Sequence, residues 1–88
     1  MSDLDGDLQK LASLPPAALQ RELMRMRERP PSPRRDALMA MALLRLAAQL
    51  PHKEAQGYFL SGYSYSRTSR HPEVRRLAEE LRPRFEEG

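Results

Sequence analysis

The sequence predicts an all-α fold, a small bundle of four to five short helices forming one domain over residues 1–88. Three observations carry that expectation. Between the prolines, apolar residues recur every three or four positions rather than alternating. The eight prolines, at 15–16, 30–31, 33, 51, 72 and 83, cut the chain into pieces of helix length. Residues 36–50, DALMAMALLRLAAQL, are good helix formers throughout, and only Arg45 and Gln49 interrupt their apolar surface after Asp36.

The first helix is expected from Asp3 to Ala12, where Leu4, Leu8 and Leu11 share a face and Gly6 lowers the helix propensity. The second opens near Pro16, since proline at the first helical position sacrifices no hydrogen bond. Leu19, Leu23 and Met26 form its apolar stripe, and Arg21, Arg25 and Arg29 form a solvated row opposite. RPPSPRR then breaks the chain, with Ser32 and Pro33 as cap and first-turn pair of the third helix. Because that helix is apolar on nearly every side, it must be central to the domain or lie partly at an interface with another chain. Pro51 begins a fourth helix, and His71-Pro72 opens a fifth with Val74, Leu77, Ala78 and Leu81 inward. Pro83 is expected to kink or end it, leaving a looser tail in which Phe85 packs back. Fraying is expected at 1–12 and 83–88.

A chain of 88 residues buries only roughly 60–65% of its unfolded surface, so its core is small. The absence of cysteine leaves no disulfide framework, thiol chemistry or cysteine-ligated zinc, and fits a reducing compartment, so a cytoplasmic location is expected. The acidic start MSDLDGDLQK reads as neither secretory signal nor transit peptide. The longest nearly apolar run, 37–50, has 14 residues and contains Arg45, short of the ~20 a membrane span needs, so no membrane partner is expected. The net charge of +3 permits an acidic partner without requiring one. Thirteen of the 15 basic residues are arginine, a bias that GC-rich coding also produces, so the arginine count carries little functional weight.

GYFLSGYSYSRTSR, residues 57–70, holds four of the five aromatic residues. Tyr63 to Ser66 alternate as a strand would, but a lone strand has no partner in a helical chain. Gly57 and Gly62 have the spacing of a phosphate loop, but Tyr63 stands where that loop needs lysine. The rings with Arg67 and Arg70 could serve single-stranded nucleic acid, although such platforms usually lie on sheets. A helix accounts for the most residues: Tyr58, Gly62 and Tyr65 fall on one face, so a neighbouring helix approaches closely at Gly62, with Phe59 and Tyr63 on the adjacent ridge. Two of the three tyrosine hydroxyls are expected to reach water.

The spacing Tyr58-x-x-x-Gly62-x-x-Tyr65, the polar turn at 68–70 and the following helix with Val74 and Leu81 resemble the helical hairpin of a tetratricopeptide repeat over residues 55–84. Ser61, Val74 and Leu81 depart from that pattern, and its terminal proline is absent. The resemblance implies protein or peptide binding in a groove, with no catalytic residues.

Catalytic and metal chemistry find little support in the sequence. His52 and His71 are 19 residues apart without ligand spacing, and His71 reads as a cap. Ser61, Ser64, Ser66 and Ser69 lack a nucleophile motif, and the pairs Glu79-Glu80 and Glu86-Glu87 do not share a face. No enzyme, cofactor or metal is expected. Arg67-Thr68-Ser69-Arg70 places hydroxyls among arginines as a phosphate site would, and is equally ordinary turn composition. The expected function is therefore a non-catalytic adaptor, chaperone-like or regulatory protein. It would bind another protein or a second copy through an apolar groove made by Met39, Leu43 and Leu46 with Tyr58, Tyr63 and Tyr65. Met24, Met26, Met39 and Met41 suit such an adaptable surface. The alternative is a small nucleic-acid-binding regulator using Arg67, Arg70, Arg75 and Arg76 with the tyrosines.

Overall fold

A computed structural model of the chain describes residues 3–86, which form five helices: α1 (Asp3–Ala12), α2 (Pro16–Arg27), α3 (Pro33–Gln49), α4 (His52–Ser69) and α5 (Pro72–Glu86). Residues 1–2 and 87–88, at the ends expected to fray, lie outside that description. The radius of gyration, 11.9 Å, is that of a compact chain of this length, about 12 Å.

Local chemistry sets each boundary. Ser13 closes α1, its amide and hydroxyl both donating to the Lys10 carbonyl. The Pro15 carbonyl accepts from Leu19 to start α2. Ser32 caps α3, its hydroxyl accepting from the Arg35 amide at 3.0 Å, and Arg35 reaches back to donate to the Arg29 carbonyl at 2.7 Å, which braces the proline-rich loop. Pro51 precedes α4 rather than occupying its first turn, and its carbonyl accepts from Glu54 and Ala55. With only Leu50 and Pro51 between them, α3 and α4 must run antiparallel.

Helix α3 is the hub: α1, α2, α4 and α5 all pack against it, and α4 most extensively. Ten of its 17 residues are buried, including every one from Ala37 to Leu44, so its apolar circumference is covered within the chain. Around it close Leu8 and Leu11 of α1, Leu19, Leu23 and Met26 of α2, Ala55 and Phe59 of α4, and Val74, Ala78 and Leu81 of α5.

The buried stripe of α4 is Ala55, Phe59, Gly62 and Ser66. Tyr58 and Tyr65 therefore do not share the inward face with Gly62 but flank it, and Tyr63 lies on the other side. Tyr58 accepts a hydrogen bond from Gln20 of α2 at 3.3 Å, and Tyr63 donates to Glu79 of α5 at 3.0 Å, so these two hydroxyls are held by neighbouring helices. Ser66, the one buried polar side chain among the described residues, is satisfied by the Tyr63 carbonyl at 2.6 Å. The expected close approach at Gly62 is present, and α3 makes it: a Cβ there would lie 2.9 Å from Leu44 Cγ and 3.1 Å from Leu43 Cβ.

Pro83 does not end α5, which continues to Glu86. Two contacts hold the turn that follows Pro83. Arg82 pairs with Glu86 at 2.5 Å across it, and the Phe85 ring lies between those of His52 and Phe59, with centroids 5.1 and 4.6 Å away. His52 and Phe59 are seven residues apart on α4, an advance of about 10.5 Å, which leaves room for one ring between them.

Two comparisons test this architecture. Gly62→Ala gains about 1 kcal/mol of helix propensity but forces a methyl against the Cβ and Cγ of α3 leucines, so a net loss of about 1–2 kcal/mol is expected, whereas Gly57→Ala, with nothing within 4 Å, should gain about 0.5–1 kcal/mol. Urea midpoints should move in opposite directions. Pro83→Ala restores a donor for the Glu79 carbonyl and should stabilise by about 1–3 kcal/mol in the same assay.

Candidate functional site

The contact residues expected on α3 are not at the surface. Met39, Leu43 and Leu46 are each at most 1% exposed, because the other helices cover this part of α3. Met26 and Met41 are also buried, and of the methionines read as interface residues only Met24 is exposed. Tyr58, Tyr63 and Tyr65 are half-buried on the flanks of α4.

An open groove of about 990 Å³ lies instead where α4 and α5 diverge. Its apolar surface comes from Phe59, Tyr63 and Phe85, with Leu60 on the α4 lip. Phe59 is buried, Tyr63 tilts against it at 5.7 Å, and Phe85 stacks on its face, so the floor is a fixed set of rings. Leu60 is 61% exposed, although leucine at that level of exposure forfeits most of its burial energy. Its neighbours on the outer face of α4, Gln56, Gly57, Ser61 and Ser64, are exposed and uncharged, and no charged residue occurs anywhere from Ala55 to Ser66 in a chain that is 31% charged.

The charges gather at the ends. Arg82 borders the groove on α5 and is neutralised by Glu79 at 3.4 Å and Glu86 at 2.5 Å; the bond to Glu86 first, then its charge, then the bond to Glu79 hold the guanidinium above its ordinary pKa. At the opposite end stand Arg67 and Arg70, whose side chains make no hydrogen bond or ion pair with any described residue. Arg67, in the last turn of α4, complements the carbonyl end of the helix. Arg70 ends the helix in the left-handed conformation, φ 58° and ψ 18°, the one positive φ among the described residues and a position that favours glycine. Of the four arginines of the nucleic-acid reading, Arg67 and Arg70 come together in the groove, while Arg75 and Arg76 are exposed on α5 outside its lining.

A second cluster escaped the sequence reading. His71 occupies the cap position of α5 through its carbonyl, which accepts from Arg75, but its ring turns to α1, with Nε2 3.2 Å from Asp5. Ser69 lies two residues away, so serine, histidine and aspartate are neighbours. They do not form a relay: His71 Nδ1 is buried without a hydrogen bond, and the Ser69 hydroxyl donates to the Ser66 carbonyl. The cluster ties α1 to the α4–α5 turn. Among the described residues no three His, Asp or Glu side chains are grouped to hold a metal ion, and no helix is long and apolar enough to cross a membrane.

No protein-family model, curated protein or solved structure matches the chain.

Arg70→Gly tests whether the arginine is held at a cost to the fold. Relief of the left-handed penalty, about 1–2 kcal/mol, exceeds the added entropy of an unfolded glycine, so a gain of about 0.5–1 kcal/mol in urea unfolding is expected.

Proposed function

We propose that the chain is a non-catalytic protein-binding module whose contact surface is the α4–α5 groove. The observation that carries this reading is Leu60, exposed on an uncharged helix face beside a floor of fixed aromatic rings. Depletion of charge at the centre of a patch, aromatic side chains beneath it and charged groups at its rim are the composition of protein interfaces. Rings already stacked and hydrogen-bonded lose little freedom when a partner docks, which favours affinity. Catalysis draws less support, since the histidine and aspartate that stand together tie α1 to the α4–α5 turn and the nearby serine bonds within its own helix.

A photoreactive residue placed at Ser64, on the groove's lip, should form a protein adduct in an extract of the source cells. The same group at Arg21, exposed on α2, should not. Leu60→Asp should remove the Ser64 adduct while changing stability by less than about 0.5 kcal/mol, because Leu60 is a surface position. Equal labelling from both positions, or an adduct indifferent to Leu60→Asp, would overturn the reading.

A further inference from the structure

We infer that the occupant of the groove is an acidic segment of another protein, anchored by one apolar side chain and held by its carboxylates at Arg67 and Arg70; this rests on the protein-binding reading. The argument is one of charge and distance along α4. The groove is polarised: at the Leu60 end its arginine, Arg82, is already balanced by Glu79 and Glu86, whereas at the α4–α5 turn Arg67 and Arg70 have no hydrogen-bond or ion-pair partner among the described residues. Guanidinium groups present paired donors that match a carboxylate, and two together accept acidic side chains in preference to neutral ones. Phe59, Tyr63 and Phe85 offer the apolar anchor its seat beside Leu60.

The same geometry separates this occupant from others. A nucleic-acid strand would bring phosphates past Glu86, which borders the groove, and would find Phe59 buried under Phe85 rather than open for stacking. A second copy would have to set identical basic ends near each other or turn each toward the Leu60 end, where Glu79 and Glu86 are already committed to Arg82. From Leu60 to Arg67 is seven residues of helix, about 10.5 Å. An extended peptide covers that distance in about three residues at roughly 3.3 Å each. The ligand's acidic residues should therefore stand three or four positions from its apolar anchor.

The test uses fluorescein-labelled ten-residue peptides of serine and glutamine carrying one phenylalanine and a glutamate pair placed one to seven residues from it, with a matching series in which lysine replaces glutamate. Anisotropy at low salt should show the glutamate peptides binding at least tenfold tighter than the lysine peptides, with a best spacing of three or four. The double change Arg67→Gln with Arg70→Gln should weaken that binding at least tenfold. The change of both to lysine, which keeps the charge, should restore most of it, and circular dichroism on each variant establishes that it is folded. Binding indifferent to charge sign or to the double glutamine change overturns the acidic occupant, and loss of the Ser64 adduct alone would mark the failure of the underlying reading. No peptide binding alongside a persisting, Leu60-dependent adduct retains protein docking and rejects this chemistry. Equal binding of a twelve-residue oligothymidylate, or self-association in sedimentation that Leu60→Asp abolishes, gives the groove to nucleic acid or to a second copy and overturns it as well.

Discussion

The seat of α4 on α3 at Gly62 is the constraint from which the remaining arrangement follows. Helix α3 is apolar around nearly its whole circumference and is stable in water only when surrounded. A domain this small has four other helices with which to do so, and the one that covers most of α3 must come close. Ala55, Gly62 and Ser66 supply a nearly side-chain-free stripe for that approach, and Leu43 and Leu44 fill the space that a Cβ at 62 would claim. Interiors packed to crystalline density leave no slack for an added methyl at such a point.

A narrow stripe of small residues against α3 displaces the rings of α4 to its flanks. Tyr58 turns toward α2 and Tyr63 toward α5, where each hydroxyl finds a side-chain partner. Phe59 remains inward but reaches the boundary with α5, and Phe85 completes a stack on it only because α5 runs on past Pro83. A local weakness in the helix is thus offset by a tertiary contact, ring on ring, together with the Arg82–Glu86 pair across the turn that follows it. The groove exists because that last turn stands beside α4 instead of unwinding. Its floor and the end of α5 therefore depend on one another.

Most of the fold was legible in the chain, for reasons that differ by element. Prolines at 16, 33 and 72 favour helix starts, and Ser32 is a cap by its hydroxyl, so the boundaries follow from local chemistry. The close approach at Gly62 was legible because that glycine falls at helical spacing among large aromatic side chains, where a small residue lets a neighbour in. The orientation of α4 about its own axis was not: Ala55 and Ser66 are neutral in any hydrophobic pattern, so the tyrosines, which are larger, seemed to mark the inward face. Pro83 misled because its local penalty is visible while Phe85's partners, His52 and Phe59, lie at least 26 residues earlier. For Met39, Leu43 and Leu46, an apolar position facing a partner and one facing a neighbouring helix are the same letter. Choosing between them required knowing how completely four short helices enclose the fifth. The His71–Asp5 tie, between residues 66 apart, has no sequence signal at all.

Arg70 is where local preference and global structure disagree. Other helix ends are closed by groups suited to them, such as Ser13 after α1 and Ser32 before α3. At Arg70 a side chain with a β-carbon takes a conformation in which glycine would be at ease, and the guanidinium makes no hydrogen bond or ion pair with any described residue. The null effect of a single charge near a helix end is small, and Arg67 already supplies that complement to α4. Breaches of a local rule without internal compensation concentrate where a molecule meets something outside itself. That Arg70 stands in the groove, beside Arg67 and at the end of an uncharged helix face, makes the breach and the docking reading one argument rather than two.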